Sequence, residues 1–155
     1  MSRLTADPLA SERLSRKIAE MSVRGPIFVV DDDESMRVSI RRLLRARGFS
    51  ALLFDSAPAM LDHDACSDVL CIIIDINLSE ASGIELRRQL SRKGFVAPVI
   101  YITGNDSHAT WSAAIESDCI AYLTKPFMAN ALIEAVERAV TRAGGAEPSG
   151  QPYPD

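Results

Sequence analysis

Five short apolar runs recur along the chain, separated by polar stretches. Each run is unbroken rather than alternating in polarity, which is typical of strands in a parallel sheet covered on both faces. The runs predict strands at residues 27–30, 51–54, 69–74, 98–102 and 120–123.

Apolar residues with helical spacing follow each predicted strand. In the first such stretch Met36, Ile40 and Leu44 lie on one face, and Gly48 is suited to the end of the helix. The other helices are predicted to begin at Asp55 or Ser56, to span residues 83–93, to run from Asp106 or Ser107 to about 117, and to include residues 132–140. Strand and helix thus alternate five times, which predicts a five-stranded doubly wound α/β fold with strand order 2-1-3-4-5.

The periodic region defines one expected domain at residues 25–143. Residues 1–24 are polar, with only a short helical pattern at Leu14, Ile18 and Met21, and we expect a flexible extension there. Residues 144–155 are rich in glycine and proline, which favours a disordered tail.

Composition narrows the class of protein. Hydrophobic residues make up 47% and charged residues 25%, as in ordinary globular domains, and the net charge of −4 argues against general nucleic-acid binding. No apolar run approaches the roughly 20 residues that span a bilayer, and the N-terminus lacks the apolar segment of a secretory signal. We therefore expect a cytoplasmic protein without membrane contact, whose three cysteines are reduced thiols.

Carboxylate, hydroxyl and ammonium side chains stand at the ends of four of the five strands. Asp31 and Asp32 follow the first strand, Asp75 the third, Thr103 the fourth and Lys125 the fifth. Because the carboxyl ends of parallel strands line the ligand crevice at the point where strand order reverses, we expect these side chains in one pocket.

Three crowded carboxylates need a cation. At about 4 Å and an effective dielectric near 20, each pair of carboxylates repels by about 4 kcal/mol. Mg²⁺ relieves that repulsion with oxygen ligands and also neutralises phosphate oxygens during phosphoryl transfer. A carboxylate beside Mg²⁺ and a lysine is a plausible acceptor that forms an acyl phosphate. The pocket therefore predicts phosphoryl chemistry on an aspartate.

Four motifs resemble a known family. They are FVVDDDESMRVSIRRLL, IIIDINLSEASGIEL, PVIYITGND and AYLTKPF. In this order and spacing they are similar to the receiver domains of bacterial two-component response regulators, over about residues 26–142, and the TG pair is similar to the FixJ-like subgroup. The resemblance implies a flavodoxin-like receiver fold and a non-enzymatic phosphoacceptor.

The resemblance also implies a role for each residue of the pocket. Asp75 is the expected phosphoacceptor. Asp32, Asp75 and the backbone carbonyl of Asn77 are the expected Mg²⁺ ligands, and Asp31 is expected to hold the ion through water.

Three further residues would then respond to the phosphoryl group. Thr103 is expected to hydrogen-bond it, Lys125 to pair with it, and Tyr122 to turn inward on activation. The peptide bond between Lys125 and Pro126 is expected to be cis.

The implied partners are a histidine kinase or a histidine phosphotransfer protein and an unknown downstream protein. Few residues follow the domain, so we expect a stand-alone receiver without direct DNA binding. Arg37, Arg41 and Arg45 share one helix face, which indicates a solvated face or a contact with an acidic partner. Trp111 and Ile115 share another face, suited equally to core packing or partner binding.

Some positions depart from the family or suggest other chemistry. Ser79 and Ala81 stand where proline and methionine are frequent, and Met128 stands where a helix cap is common, which leaves the switching amplitude open. The DHDACSD segment at residues 62–68 has potential metal ligands, but we interpret it as a solvated loop.

Two other functions share features with this sequence. A haloacid-dehalogenase-type phosphatase also has acidic residues after its first strand, but it needs an acidic pair after the lysine, and the chain has no such pair near a strand end beyond Lys125. A receiver that acts only as a scaffold is disfavoured by the complete pocket.

Overall fold

A five-stranded parallel sheet lies at the centre of the fold. The structure is a computed structural model, and it describes Leu9, Glu12, Arg13 and residues 25–63 and 68–143. Its five parallel strands are β1 (Ile27–Val30), β2 (Ala51–Phe54), β3 (Cys71–Asp75), β4 (Val99–Thr103) and β5 (Ala121–Thr124). Their spatial order is β2-β1-β3-β4-β5, so the predicted doubly wound topology is confirmed.

Five helices connect and follow these strands. They are α1 (Glu34–Ala46), α2 (Ala57–Asp62), α3 (Gly83–Arg92), α4 (His108–Glu116) and α5 (Ala129–Ala143). Where the sequence left two caps open, the structure has Ser56 and Ser107, whose hydroxyl oxygens accept hydrogen bonds from the backbone amides of Ala59 and Thr110.

Three strands begin later than the sequence predicted: β4 and β5 by one residue and β3 by two. The apolar run begins at residue 69, but β3 begins at Cys71. Cys71 pairs with Ile27, the first residue of β1, so the preceding residues have no strand beside them to extend the ladder. The amide of Leu70 instead donates to the carbonyl of Pro26 over 3.0 Å.

The core has two halves, one on each face of the sheet. Ile40 and Leu44 of α1 and Leu132 and Val136 of α5 pack on one face. The other face is covered by α2, α3 and α4 through Met60, Leu86, Leu90 and Ala114. The residues of β3 and β4 are buried throughout, which explains why these strands are apolar without alternation.

Within the described residues, no helix is long and apolar enough to cross a membrane. Two of the three cysteines, Cys71 and Cys119, are free thiols in the described region. Burial raises the pKa of Cys71 to about 12 and that of Cys119 to about 11, so both stay protonated and unreactive near neutral pH.

Candidate functional site

The strand-end residues meet at one edge of the sheet. Asp75 is the last residue of β3 and Thr103 the last of β4, while Asp31 and Lys125 immediately follow β1 and β5. The parallel register aligns these ends, because Asp75 lies opposite Ile102 in β4. The structure therefore brings together the residues that the sequence singled out.

A lysine bridges two buried carboxylates in this pocket. Lys125 Nζ lies 3.0 Å from Asp31 Oδ2 and 3.1 Å from Asp75 Oδ2. The side chain of Asp31 is 0% exposed, that of Asp75 5% and that of Lys125 19%, so this ion pair is shielded from water. The Lys125 amide also donates to the Thr103 carbonyl over 2.7 Å, which fixes the lysine beside β4.

The environment of the pocket opposes the charge on Asp31. Burial raises its pKa, and the negative charge of Asp75 adds to this, although hydrogen bonds from the Asp33 amide and from Lys125 act in the opposite direction. Burial lowers the pKa of Lys125, but its hydrogen bonds to Asp31 and Asp75 outweigh burial and raise that pKa overall. The lysine is therefore a permanent cation that offsets only part of the negative charge.

The acidic residues suit a hard divalent cation. One carboxylate oxygen from each of Asp31, Asp32 and Asp75 lies within 4.8 Å of the others, and this is the only such cluster among the residues that the structure describes. The donors are all oxygens, and Asp32 is exposed while the other two are buried, so coordinated water has access from one side. This oxygen-only, half-open set fits Mg²⁺, which keeps several of its waters.

The loop that follows β3 is tied to the pocket. The Asn77 amide donates to Asp75 Oδ1 over 2.9 Å, and the Asn77 side-chain oxygen accepts from Thr103 Oγ1 over 2.6 Å. Thr103 Oγ1 in turn accepts from the Asn105 amide over 3.1 Å. The threonine hydroxyl thus lies between the loops that follow β3 and β4.

Tyr122 lies inward in this structure. It is 7% exposed, and its hydroxyl donates to Asp106 Oδ1 over 2.7 Å. This contact joins β5 to the loop between β4 and α4. The peptide bond between Lys125 and Pro126 is cis, as the resemblance implied.

Arg37 is one of the three arginines predicted to share a helix face, and it contacts its own domain. Arg37 is half-buried, and its Nη1 donates to the backbone carbonyl of Asp31 over 2.7 Å. Arg37 is therefore held against its own domain, because its guanidinium reaches from the first turn of α1 to a carbonyl six residues earlier, immediately after β1. Sequence spacing gave no signal for this contact.

We expect Arg37→Ala to lower the free energy of unfolding by about 1.5 kcal/mol, since it removes a hydrogen bond from a charged donor to a partly buried carbonyl. Arg41→Ala is the matched control on the same helix, with an expected change within about 0.5 kcal/mol. Urea unfolding of the two variants measures both values. Equal losses would show that the Asp31 contact contributes nothing.

The other residues that the sequence singled out differ in burial. Trp111 is half-buried and packs against the apolar cluster on its side of the sheet, whereas Ile115 is 38% exposed.

His63 packs edge-on against Phe28 and Phe54, with ring centroids 5.6 and 5.3 Å away, so the solvated-loop interpretation is wrong for this residue. Asp64 and Cys66 of the same segment lie outside the described residues.

One contact to the pocket has no signal in the sequence. Ser79 Oγ donates to Asp32 Oδ2 over 2.5 Å, across 47 residues of sequence. Ser79 stands where proline is frequent in the family, and neither periodicity nor spacing indicates which loop residue reaches Asp32.

The fold and the pocket together define a doubly wound α/β domain with an acidic, lysine-bridged site suited to phosphoryl transfer. Residues 27–137 match the family model of the response regulator receiver domain. The chain belongs to this family, whose members are phosphoacceptor signalling domains of two-component systems and bind Mg²⁺ at an acidic pocket.

Several relatives place the chain within the family. It is 33% identical over 123 residues to nodulation protein W of Bradyrhizobium diazoefficiens, covering 79% of this chain and 54% of that protein. It is 32% identical to the transcriptional regulatory protein FixJ of the same organism, covering 79% and 60%. The crystal structure of FixJ-N is similar with a TM-score of 0.68 and 30% identity, covering 75% of this chain and 93% of that one. The chain thus spans about half to 60% of the length of these two curated relatives.

Proposed function

We propose that this protein is a phosphorylation-dependent switch in which Asp75 accepts the phosphoryl group. The observation that carries the proposal is the position of Asp75, whose Oδ2 lies 3.1 Å from Lys125 Nζ while its carboxylate also belongs to the acidic cluster. A nucleophilic carboxylate beside a fixed ammonium and a cation-binding cluster is the arrangement that phosphoryl transfer needs.

In this proposal Asp32, Asp75 and the backbone carbonyl of Asn77 hold Mg²⁺, and Asp31 holds it through water. The bound ion neutralises charge on the phosphoryl oxygens. A carboxylate oxygen of Asp75 forms a bond to phosphorus as the phosphorus–nitrogen bond of a phosphohistidine breaks, and the donor imidazole recovers a proton from solvent. Because Asp75 is itself modified, the domain acts as a stoichiometric acceptor rather than as a multiple-turnover enzyme.

The contacts of Thr103 support a switching role. Its hydroxyl donates to Asn77 in this structure, and in our proposal it donates instead to a phosphoryl oxygen on Asp75. That exchange moves the loop after β4, which also carries Asp106, the partner of the buried Tyr122. Phosphorylation thereby biases a loop that has two sets of hydrogen-bond partners.

The proposed partners follow from the acceptance of a phosphoryl group and from the switching of the loop after β4. A histidine kinase or a histidine phosphotransfer protein supplies the phosphoryl group, with Arg41 of α1 available to an acidic surface. A downstream protein contacts the face of α4, β5 and α5, where Ile115 is exposed and Trp111 lies close to the switching loop. Residues 25–143 form the proposed receiver domain. It is flanked by an N-terminal extension, of which the structure describes only Leu9, Glu12 and Arg13, and by a C-terminal tail outside the described residues.

The test is the intact mass of the protein after incubation with acetyl phosphate. With Mg²⁺ we expect the addition of one phosphoryl group, and with excess chelator we expect none, because an acidic pocket excludes a phosphate dianion without a cation. Equal incorporation with and without Mg²⁺ would contradict the proposal, and so would no incorporation under either condition.

A further inference from the structure

The three carboxylates of the pocket are held to different degrees. Asp31 is fixed by Lys125 and by the amide of Asp33, which donates to its Oδ1 over 2.9 Å. Asp75 is fixed by Lys125 and by the amide of Asn77. Both are buried, so their orientations are set by the sheet and by its loops.

Asp32 lacks these constraints. Its side chain is exposed, and the hydrogen bond from Ser79 is the one polar contact that holds its carboxylate among the residues that the structure describes. An exposed carboxylate without such a contact samples several staggered rotamers, which place its oxygens at different distances from Asp31 and Asp75. The position of Asp32 therefore depends on the loop between β3 and α3.

We propose that Ser79 is a positioning residue for the metal site, which holds Asp32 in the orientation that binds Mg²⁺. The conformation that accepts the Ser79 hydrogen bond is the same one in which an Asp32 oxygen lies within 4.8 Å of oxygens from Asp31 and Asp75. The inference rests on the proposed function, since it concerns the ion that the acidic cluster holds there.

The hydrogen bond does not compete with metal binding. A carboxylate has two oxygens with about four acceptor positions, so Asp32 can accept from Ser79 and still ligate a cation. Groups that hydrogen-bond a metal ligand orient it, and removing them typically costs 10- to 100-fold in metal affinity. Because Ser79 and Asp32 are both exposed to water, we expect an effect below that range, of about three- to tenfold.

The test is the dissociation constant of Mg²⁺, measured by titration calorimetry on the unphosphorylated protein. Ser79→Ala should weaken binding by about three- to tenfold, whereas Ser79→Thr, which keeps a hydroxyl at the same position, should remain within about twofold of wild type. Ser39→Ala is the matched control, because it removes an exposed hydroxyl from α1. Its affinity for Mg²⁺ should equal that of wild type.

The outcomes separate this inference from the proposed function. Unchanged or tighter Mg²⁺ binding by Ser79→Ala, with normal binding by wild type, would overturn the positioning role alone. A loss in Ser79→Thr as large as that in Ser79→Ala would also overturn it, because the hydroxyl would then not be the cause. A wild-type protein that binds no Mg²⁺ would overturn the proposed function together with this inference.

Discussion

Asp75→Asn is expected to gain no phosphoryl group from acetyl phosphate in the presence of Mg²⁺. The substitution keeps the shape of the side chain and an oxygen that can accept from the Asn77 amide, so the fold should persist. It replaces the nucleophilic carboxylate with a neutral amide, which does not form an acyl phosphate. Intact mass and a circular dichroism spectrum of the same sample separate loss of the acceptor from loss of the fold.

Asp55→Asn provides the control for this experiment. Asp55 immediately follows β2, as Asp31 follows β1, but β2 is the edge strand and Asp55 is exposed. We expect this variant to be phosphorylated at the wild-type rate. Incorporation into Asp75→Asn at that same rate would show that another aspartate is the acceptor.

The sequence predicted the pocket because topology makes strand ends converge. Unbroken apolar runs identify buried parallel strands, and in this fold the carboxyl ends of β1 and β3 are neighbours at the point where strand order reverses. Asp31, Asp75 and Lys125 could therefore be placed together without knowledge of any loop. The resemblance to receiver domains assigned their roles but was not needed to group them.

Contacts made by loops were not predictable in the same way. The hydrogen bonds from Ser79 to Asp32 and from Arg37 to the Asp31 carbonyl depend on backbone paths that hydrophobic periodicity does not specify. The prediction of a solvated loop is wrong for His63 for a related reason. Its neighbours in sequence are polar, but the end of α2 directs its ring onto Phe28 and Phe54 of the sheet. Local composition indicates exposure only where tertiary packing does not override it.

Lys125→Met is expected to lower the free energy of unfolding by about 3 kcal/mol at pH 7 in metal-free buffer. Removing one partner of a buried ion pair typically costs about 3–5 kcal/mol, and the partial exposure of Lys125 places it at the lower end. Methionine preserves most of the aliphatic length of lysine. The decrease in the free energy of unfolding therefore measures the contribution of the charge. Lys93→Met is the control. Lys93 is exposed and donates to the Leu61 carbonyl over 3.0 Å, so its loss should cost less than about 1 kcal/mol.

Mg²⁺ and acid should each reduce the loss caused by Lys125→Met, because each offsets the carboxylate charge that the lysine no longer balances. Mg²⁺ at about 100 times its dissociation constant stabilises a folded protein by about 2.7 kcal/mol, and we expect a larger gain in the variant than in wild type because its pocket is more negative. Burial already raises the pKa of Asp31 above 3.8, and loss of the neighbouring cation should raise it further.

A carboxyl group with a raised folded pKa destabilises the protein fully above that pKa, and the penalty disappears as the pH falls toward 3.8. Urea unfolding with and without Mg²⁺ measures the effect of the ion. The same unfolding repeated between pH 7 and pH 3.8 measures the effect of acid. A stability difference between Lys125→Met and wild type that is independent of both Mg²⁺ and pH would show that the side chain contributes packing rather than charge.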